Sequence, residues 1–221
     1  MNIWHISDTH SYHNLLRIPS DIDMVIHSGD STNYFDYFRN QPEFEKFIEW
    51  FSQLPIKYKV LIAGNHDAWA MKKYNVDKVK KLGIIYLEHE FGYIEGKLIF
   101  GSPYTPTFEN WHFMKDRSKL HRYWEELSTG IDILVTHGPP KFMLDLSYSQ
   151  NHQPEYCGDN ALFKKVLEIE PQFHLFGHIH NSEDCYNEGI RKFRDITFIN
   201  SSVVTDGKFG ELSSNGNIFK I

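Results

Sequence analysis

YKVLIAGNHD, residues 58–67, is the stretch on which the fold turns. An apolar run broken only by Lys59 ends abruptly in glycine, an amide, an imidazole and a carboxylate. The run reads as a buried strand, and its end reads as the place where polar groups leave the core. The same pattern recurs. MNIWHIS (1–7), DMVIHSG (23–29), KLIFGS (97–102), IDILVTH (131–137), FHLFGH (173–178), ITFINSS (196–202) and NIFKI (217–221) all read as strands.

Helical patterns lie between several of them. PEFEKFIEWFSQL (42–54) spaces Phe44, Phe47, Ile48 and Phe51 along one face, with Pro42 placed for a first turn. KDRSKLHRYWEEL (115–127) and NALFKKVLEI (160–169) are alike, the second with Asp159 as its cap. Strands alternating with helices define an α/β class, and the closing strands in 196–221, with no long helix between them, read as antiparallel additions. No repeat or linker divides the chain, so one domain is expected over residues 1–221. The stretches 102–114 and 138–158 are rich in aromatics, Pro or Asn and read as ordered loops over a site.

Polar residues gather at the strand ends. After the first strand come Asp8 and His10, after the second Asp30, and after the third Asn65, His66 and Asp67. His137 closes the 131–136 strand, and His178 and His180 follow the 173–177 strand. Ligands in open α/β sheets bind beyond the carboxyl ends of strands, so these groups can share one crevice. A GNHD arises by accident ~0.003 times in a chain of this composition, whereas D-x-H or G-D alone signifies nothing. In extended backbone, residues i and i+2 face the same side, which lets Asp8 with His10, and His178 with His180, aim into one pocket. The donors are oxygen and nitrogen only, a set that suits Mn²⁺, Fe or Zn²⁺ and disfavours a cysteine-based structural zinc. Seven donors exceed one ion's needs and fit two ions bridged by a carboxylate, the arrangement for displacement at phosphorus.

DTH, GD, GNHD, TH and GHIH resemble the calcineurin-like metallophosphoesterase pattern, and the likeness runs over nearly the whole chain. YKVLIAGNHD, GSPYTPTFENWHF and IDILVTHGPP resemble in particular its metallophosphoesterase-domain branch, which includes brain protein 239. The resemblance implies a four-layer αββα sandwich, two mixed β-sheets flanked by helices, with a di-metal site at the sheets' upper edge. It implies that Asp8, His10 and His180 hold one metal, that Asn65, His137 and His178 hold the other, and that Asp30 bridges them. It further implies that His66 protonates the leaving oxygen and that Asp67 orients His66. Purple acid phosphatases carry a tyrosine ligand three residues after the bridging Asp; Asn33 stands there, so no Fe–tyrosinate centre is expected. Two divalent ions are expected, Mn²⁺ first, with Fe, Zn²⁺ or Ni²⁺ as alternatives. Some animal relatives lack the first histidine of the last motif; His178 is present here, which implies a competent enzyme.

The expected activity is hydrolysis of phosphodiesters, with cyclic nucleotides as the substrate class. Alternatives are a nuclease or phosphomonoesterase on the same site, and a non-catalytic binding module of the fold. The net charge of −6 argues against wrapping a long nucleic acid. No apolar stretch reaches a membrane span's length, Asp8 and His10 interrupt any signal-like start, and Cys157 and Cys185 form no disulfide framework; a cytoplasmic protein with reduced thiols is expected. An aromatic content of 15% permits a subunit interface without specifying one.

Other residues carry weaker readings. His5, His27 and His174 are expected in the core or hydrogen-bonded, and His112, His121 and His152 solvated. His13 is a candidate for touching substrate phosphate. Tyr104, Phe108, Trp111 and Phe113 either stack a base or pack on the sheet edge or a partner subunit. Asn200 is expected to be structural.

Overall fold

A computed structural model describes residues 1–148, 153–207 and 210–221. Eleven strands make two sheets: β1 Asn2–Ile6, β2 Met24–His27, β3 Tyr58–Leu61, β4 Ile85–Tyr86, β5 Glu90–Ile94, β6 Lys97–Ser102, β7 Ile133–Thr136, β8 Phe173–Phe176, β9 Gly189–Phe193, β10 Ile196–Asn200 and β11 Asn217–Lys220. The first sheet has the order β11-β1-β2-β3-β4, parallel except for β11. The second runs β9-β10-β8-β7-β6-β5, parallel except for its two edges. Two short pairs, Thr105–Pro106 with Met114–Lys115 and Leu146–Tyr148 with Pro154–Tyr156, lie outside them.

Strand alternation builds the layers. Ile3, Met24, Ile26, Val60 and Ile62 from the first sheet meet Ile99, Ile133, Val135, Leu175 and Ile199 from the second, forming the layer between sheets. The next residues along face outward: Trp4, Ile6, Val25 and Leu61 pack on helix α1 (Tyr37–Gln53) through Phe44, Phe47 and Phe51. On the far side Phe100, Leu134, Phe176 and Phe198 pack on α4 (Asn160–Ile169) through Leu162, Val166 and Ile169. The helices α2 (Lys73–Lys81) and α3 (His121–Trp124) complete the outer layers, with Val79 on one side and Trp124 on the other. A four-layer αββα sandwich results, as the sequence implies.

Three local expectations need correction. Helix α1 begins five residues before Pro42, because Asp36 accepts hydrogen bonds from the Phe38 and Arg39 amides and so caps the chain earlier. Of residues 115–127 only His121–Trp124 is α-helical; Asp116 takes the Ser118 amide and hydroxyl and holds the preceding segment in turns. Of the closing strands, β11 is antiparallel as expected, but β10 runs parallel to β8. The hairpin partner β9 supplies the antiparallel edge instead.

His5, His27 and His174 are fully buried, as the sequence suggests. His5 bonds the Ser28 and Ser201 hydroxyls, His27 the Thr9 hydroxyl, and His174 the Thr136 hydroxyl. Burial pushes each pKa down to about 3, against about 6.5 unfolded. Between those values the unfolded chain binds protons that the folded chain refuses, so stability falls as pH drops below 6.5. Asp67, pushed up to about 6 by burial and by Asp30, offsets roughly one histidine's share. His10, His13 and His178 are pushed down likewise, so in EDTA urea unfolding should lose at least about 3 kcal/mol of stability per pH unit below 6. Stability that stays level from pH 7 to 5 would contradict this.

Candidate metal centre

The carboxyl ends of β1, β2, β3, β7 and β8 converge where the two sheets meet. Beyond the strands the loops run side by side, the Asp8 amide donating to the Gly29 carbonyl and the His10 amide to the Asp30 carbonyl. This brings all seven expected donors to one edge, in two groups. Asp8, His10 and His180 have ligand atoms within 4.8 Å of one another, and so do Asp30, His137 and His178. Asn65 Oδ1 lies 3.0 Å from His137 Nε2, which adds it to the second group. The four histidines divide between the groups as the resemblance implies, and Asp30 stands beside His137 and His178.

The backbone is bent to achieve this. Asp8, His10, Asp30 and His178 have φ of 52°, 39°, 56° and 70°, a left-handed conformation that L residues hold only when their surroundings fix them. Close approach also requires missing Cβ atoms. At Gly64 a Cβ would strike Asp30 and, at 2.7 Å, His137; at Gly177 it would strike the Asp8 carboxylate. Both carboxylates therefore rest against bare Cα atoms.

Hydrogen bonds orient the imidazoles. His10 donates from Nδ1 to the Thr32 carbonyl (2.9 Å) and His137 from Nδ1 to the Ser28 carbonyl (2.8 Å), leaving each Nε2 for the centre. Asp8 Oδ2 accepts the His178 amide and the Ser202 hydroxyl, so Oδ1 is directed at His180 Nε2, 3.2 Å away.

Electrostatics show what the cluster attracts. Burial opposes charge on every member, yet Asp30 and Asp8 raise His137 to about 9, and Asp8 raises His180. Burial and neighbouring imidazoles push His10 down to about 4 and His178 to about 3. The cluster thus collects positive charge between its carboxylates while keeping two neutral imidazoles with free lone pairs. Such a donor set fits divalent cations, which would displace the protons on His137 and His180.

The GNHD loop holds His66 and Asp67 differently from the sequence expectation. His66 donates from Nδ1 to the Asn33 carbonyl (2.8 Å), and its Nε2 lies 3.9 Å from Asp30 Oδ2. Asp67 makes no contact with that ring: its carboxylate accepts from the amides of Gly64, Asp30 and Ser31 and from the Ser31 and Thr32 hydroxyls. Orientation of His66 by Asp67 is therefore replaced by orientation by the Asn33 carbonyl, because the turn at 64–67 sends Asp67 inward. Asn40, unnoticed in the sequence, donates to the His66 carbonyl and to Thr32 Oγ1. Its signal was a lone amide on the apolar face of α1, one turn before Phe44.

His13 is buried between Phe47 and Trp50 and lines neither cavity at the site, so it does not touch a bound phosphate there. Asn200 is structural, binding the Leu144 and Ile179 carbonyls. Tyr104 and Phe113 join the core while Phe108 and Trp111 line the site. His112, expected in solvent, bonds the Phe35 carbonyl, whereas His121 is exposed. His152 lies outside the described residues.

Two cavities open on the cluster. One, of about 520 Å³, lies against His10, His66, His180 and Asp206; the other, of about 290 Å³, lies between Asp30, Asn65 and His178 and the loop bearing Phe108, Glu109 and Trp111. No helix among the described residues is long and apolar enough to cross a membrane.

The chain is similar to several known proteins. Human metallophosphoesterase domain-containing protein 1 is 31% identical over 90% of this chain, which spans 65% of the length of that relative. The UPF0046 protein K07C11.7 of Caenorhabditis elegans is 32% identical over 91% of the chain and 69% of its own length. The crystal structure of TT1561 of Thermus thermophilus superposes with a TM-score of 0.59 at 13% identity, covering 91% of this chain and 90% of that one, and so shares the fold. The calcineurin-like phosphoesterase family pattern matches residues 1–182, a span that takes in every donor at the sheet junction, and the chain belongs to that family.

Proposed function

We propose that the chain hydrolyses phosphodiesters of nucleotide type at a dinuclear centre. In this reading Asp8, His10 and His180 hold one ion, Asn65, His137 and His178 the other, and Asp30 bridges them. The supporting observation is the pair of three-residue donor groups, each with one carboxylate and two imidazoles, opening on cavities that His66 also lines. Divalent ions held there, Mn²⁺ first among them, would neutralise phosphate charge and activate water for attack at neutral pH. The protein's own share is orientation and proton transfer. His66 keeps its Nδ1 proton on the Asn33 carbonyl, so in its doubly protonated form Nε2 is free to protonate the leaving oxygen.

The surroundings favour a diester. Among the described residues no Lys or Arg lines either cavity, while Asp206 and Glu109 flank them. Those two carboxylates repel a monoester dianion or a run of phosphates more than a diester, which carries one charge and presents neutral substituents. Phe108 offers those substituents an aromatic face. The two free cysteines fit a reducing, cytosolic setting.

With Mn²⁺, bis-p-nitrophenyl phosphate should be cleaved with a kcat/KM at least about tenfold above that for p-nitrophenyl phosphate. EDTA should abolish turnover and Mn²⁺ restore it. Preference for the monoester would make the protein a phosphomonoesterase. Silence with Mn²⁺, Fe²⁺, Zn²⁺ and Ni²⁺ alike would leave a binding module.

A further inference from the structure

We propose that Trp111 is a positioning residue that holds His66 in line with the leaving oxygen, so that the enzyme's advantage lies with substrates whose leaving group needs a proton. The inference rests on the reading of His66 as the proton donor and adds what fixes its aim.

A histidine tethered only through Nδ1 can still swing about that bond. Here the indole of Trp111 lies against the imidazole of His66, ring centroids 4.0 Å apart at 36°. On another side the edge of His10 meets the same ring at 4.8 Å and 85°. The imidazole is confined between a ligand histidine and a tryptophan. Its side chain is still 21% exposed, so without Trp111 it has room to turn toward solvent.

Trp111 is itself fixed. Its Nε1 donates to Glu109 Oε2 (3.1 Å), and Phe35 meets it edge-on at 5.5 Å. The next residue clamps the loop to the site: the His112 amide donates to the Asn65 carbonyl (3.2 Å), and His112 Nε2 bonds the Phe35 carbonyl (2.9 Å). The loop 107–113 is thus tied to both segments that carry the donor, the GNHD turn and the 33–35 strip.

The chemistry supplies a discriminating readout. As the bond from phosphorus to the leaving oxygen breaks, its electron pair takes the Nε2 proton. Water supplies the oxygen that bonds phosphorus, and the proton it releases restores the ring. A p-nitrophenolate departs without that help, whereas a ribose alkoxide does not.

The test compares bis-p-nitrophenyl phosphate with 2′,3′-cyclic AMP, using the metal-loaded wild type, Trp111→Leu, Trp111→Phe, His66→Ala and the His66→Ala/Trp111→Leu double variant. For Trp111→Leu, kcat on the cyclic nucleotide should fall about 10- to 100-fold with KM nearly unchanged, while turnover of the aryl ester stays within roughly twofold. Trp111→Phe, which keeps a ring face, should recover most of the loss, and the double variant should be no worse than His66→Ala. In histidine-labelled, zinc-loaded protein, the His66 ring protons should resonate upfield and move downfield in Trp111→Leu, with His180 unmoved. Equal losses on both substrates, additive losses in the double variant, or an unshifted His66 signal would overturn the inference. Wild-type turnover of the aryl ester alone would remove the acid and its positioning while sparing the phosphoesterase reading. Turnover of neither would remove both.

Discussion

Asp30→Ala is expected to lose at least one of two bound ions and to lower kcat/KM on bis-p-nitrophenyl phosphate about a thousandfold or more, roughly 4 kcal/mol of transition-state stabilisation. Its position at the sheet junction is the reason. One oxygen accepts the His66 amide at 2.7 Å, and the other lies 3.3 Å from His137 Nε2 and 3.9 Å from His66 Nε2. Burial alone would raise its pKa, yet His137, His66 and His10 outweigh burial and hold the carboxyl well below the usual range. The group is therefore a permanent anion among imidazoles, and without it two cations would face each other with no shared negative charge. Asp30→Asn separates charge from shape, since it can still accept the His66 amide. Metal content by elemental analysis and thermal melting should show lost ions in a folded chain for both variants. A variant that keeps two ions and wild-type turnover would remove Asp30 from the centre.

Much of this centre is legible before any coordinates, because metal donors obey short-range rules. An i, i+2 pair such as Asp8 and His10 needs only local backbone to share a pocket, and GNHD is too improbable to be ornament. The layers are similarly legible: the outward Trp4, Val25 and Leu61 alternate with the inward Ile3, Ile26 and Val60. Long-range placement is what the sequence hides. Asn33, Asn40 and Trp111 reach His66 from 33, 26 and 45 positions away along the chain, and no spacing links them. The edge strands β5 and β9 are mostly exposed, so they lack the apolar run that marks a buried strand. Asp67 misleads for the opposite reason. Adjacency to His66 invites a catalytic pairing, but the turn sends the two side chains apart.

That divergence gives Asp67 a large and testable weight. Its buried carboxylate satisfies three backbone amides and two hydroxyls, at 2.7–3.1 Å, drawn from the turns that carry Asp30 and Asn65. Asp67→Ala strands four of these donors away from water, while the Thr32 hydroxyl keeps the His66 carbonyl as its acceptor. At about 1–3 kcal/mol for each unsatisfied group, the loss is on the order of 5 kcal/mol or more, comparable with the whole stability of an ordinary domain. The melting temperature of the metal-free chain should fall by at least about 10 °C. Asp67→Asn keeps one acceptor but turns an amide NH₂ toward groups that also donate, so an intermediate drop is expected. Because the same turns place Asp30 and Asn65, metal affinity should weaken in parallel with stability. A residue that acted by orienting His66 would behave otherwise: Asp67→Asn would leave melting and metal content at wild-type values and slow only those substrates whose leaving group needs a proton. That outcome would restore Asp67 to the acid and deny it the scaffold.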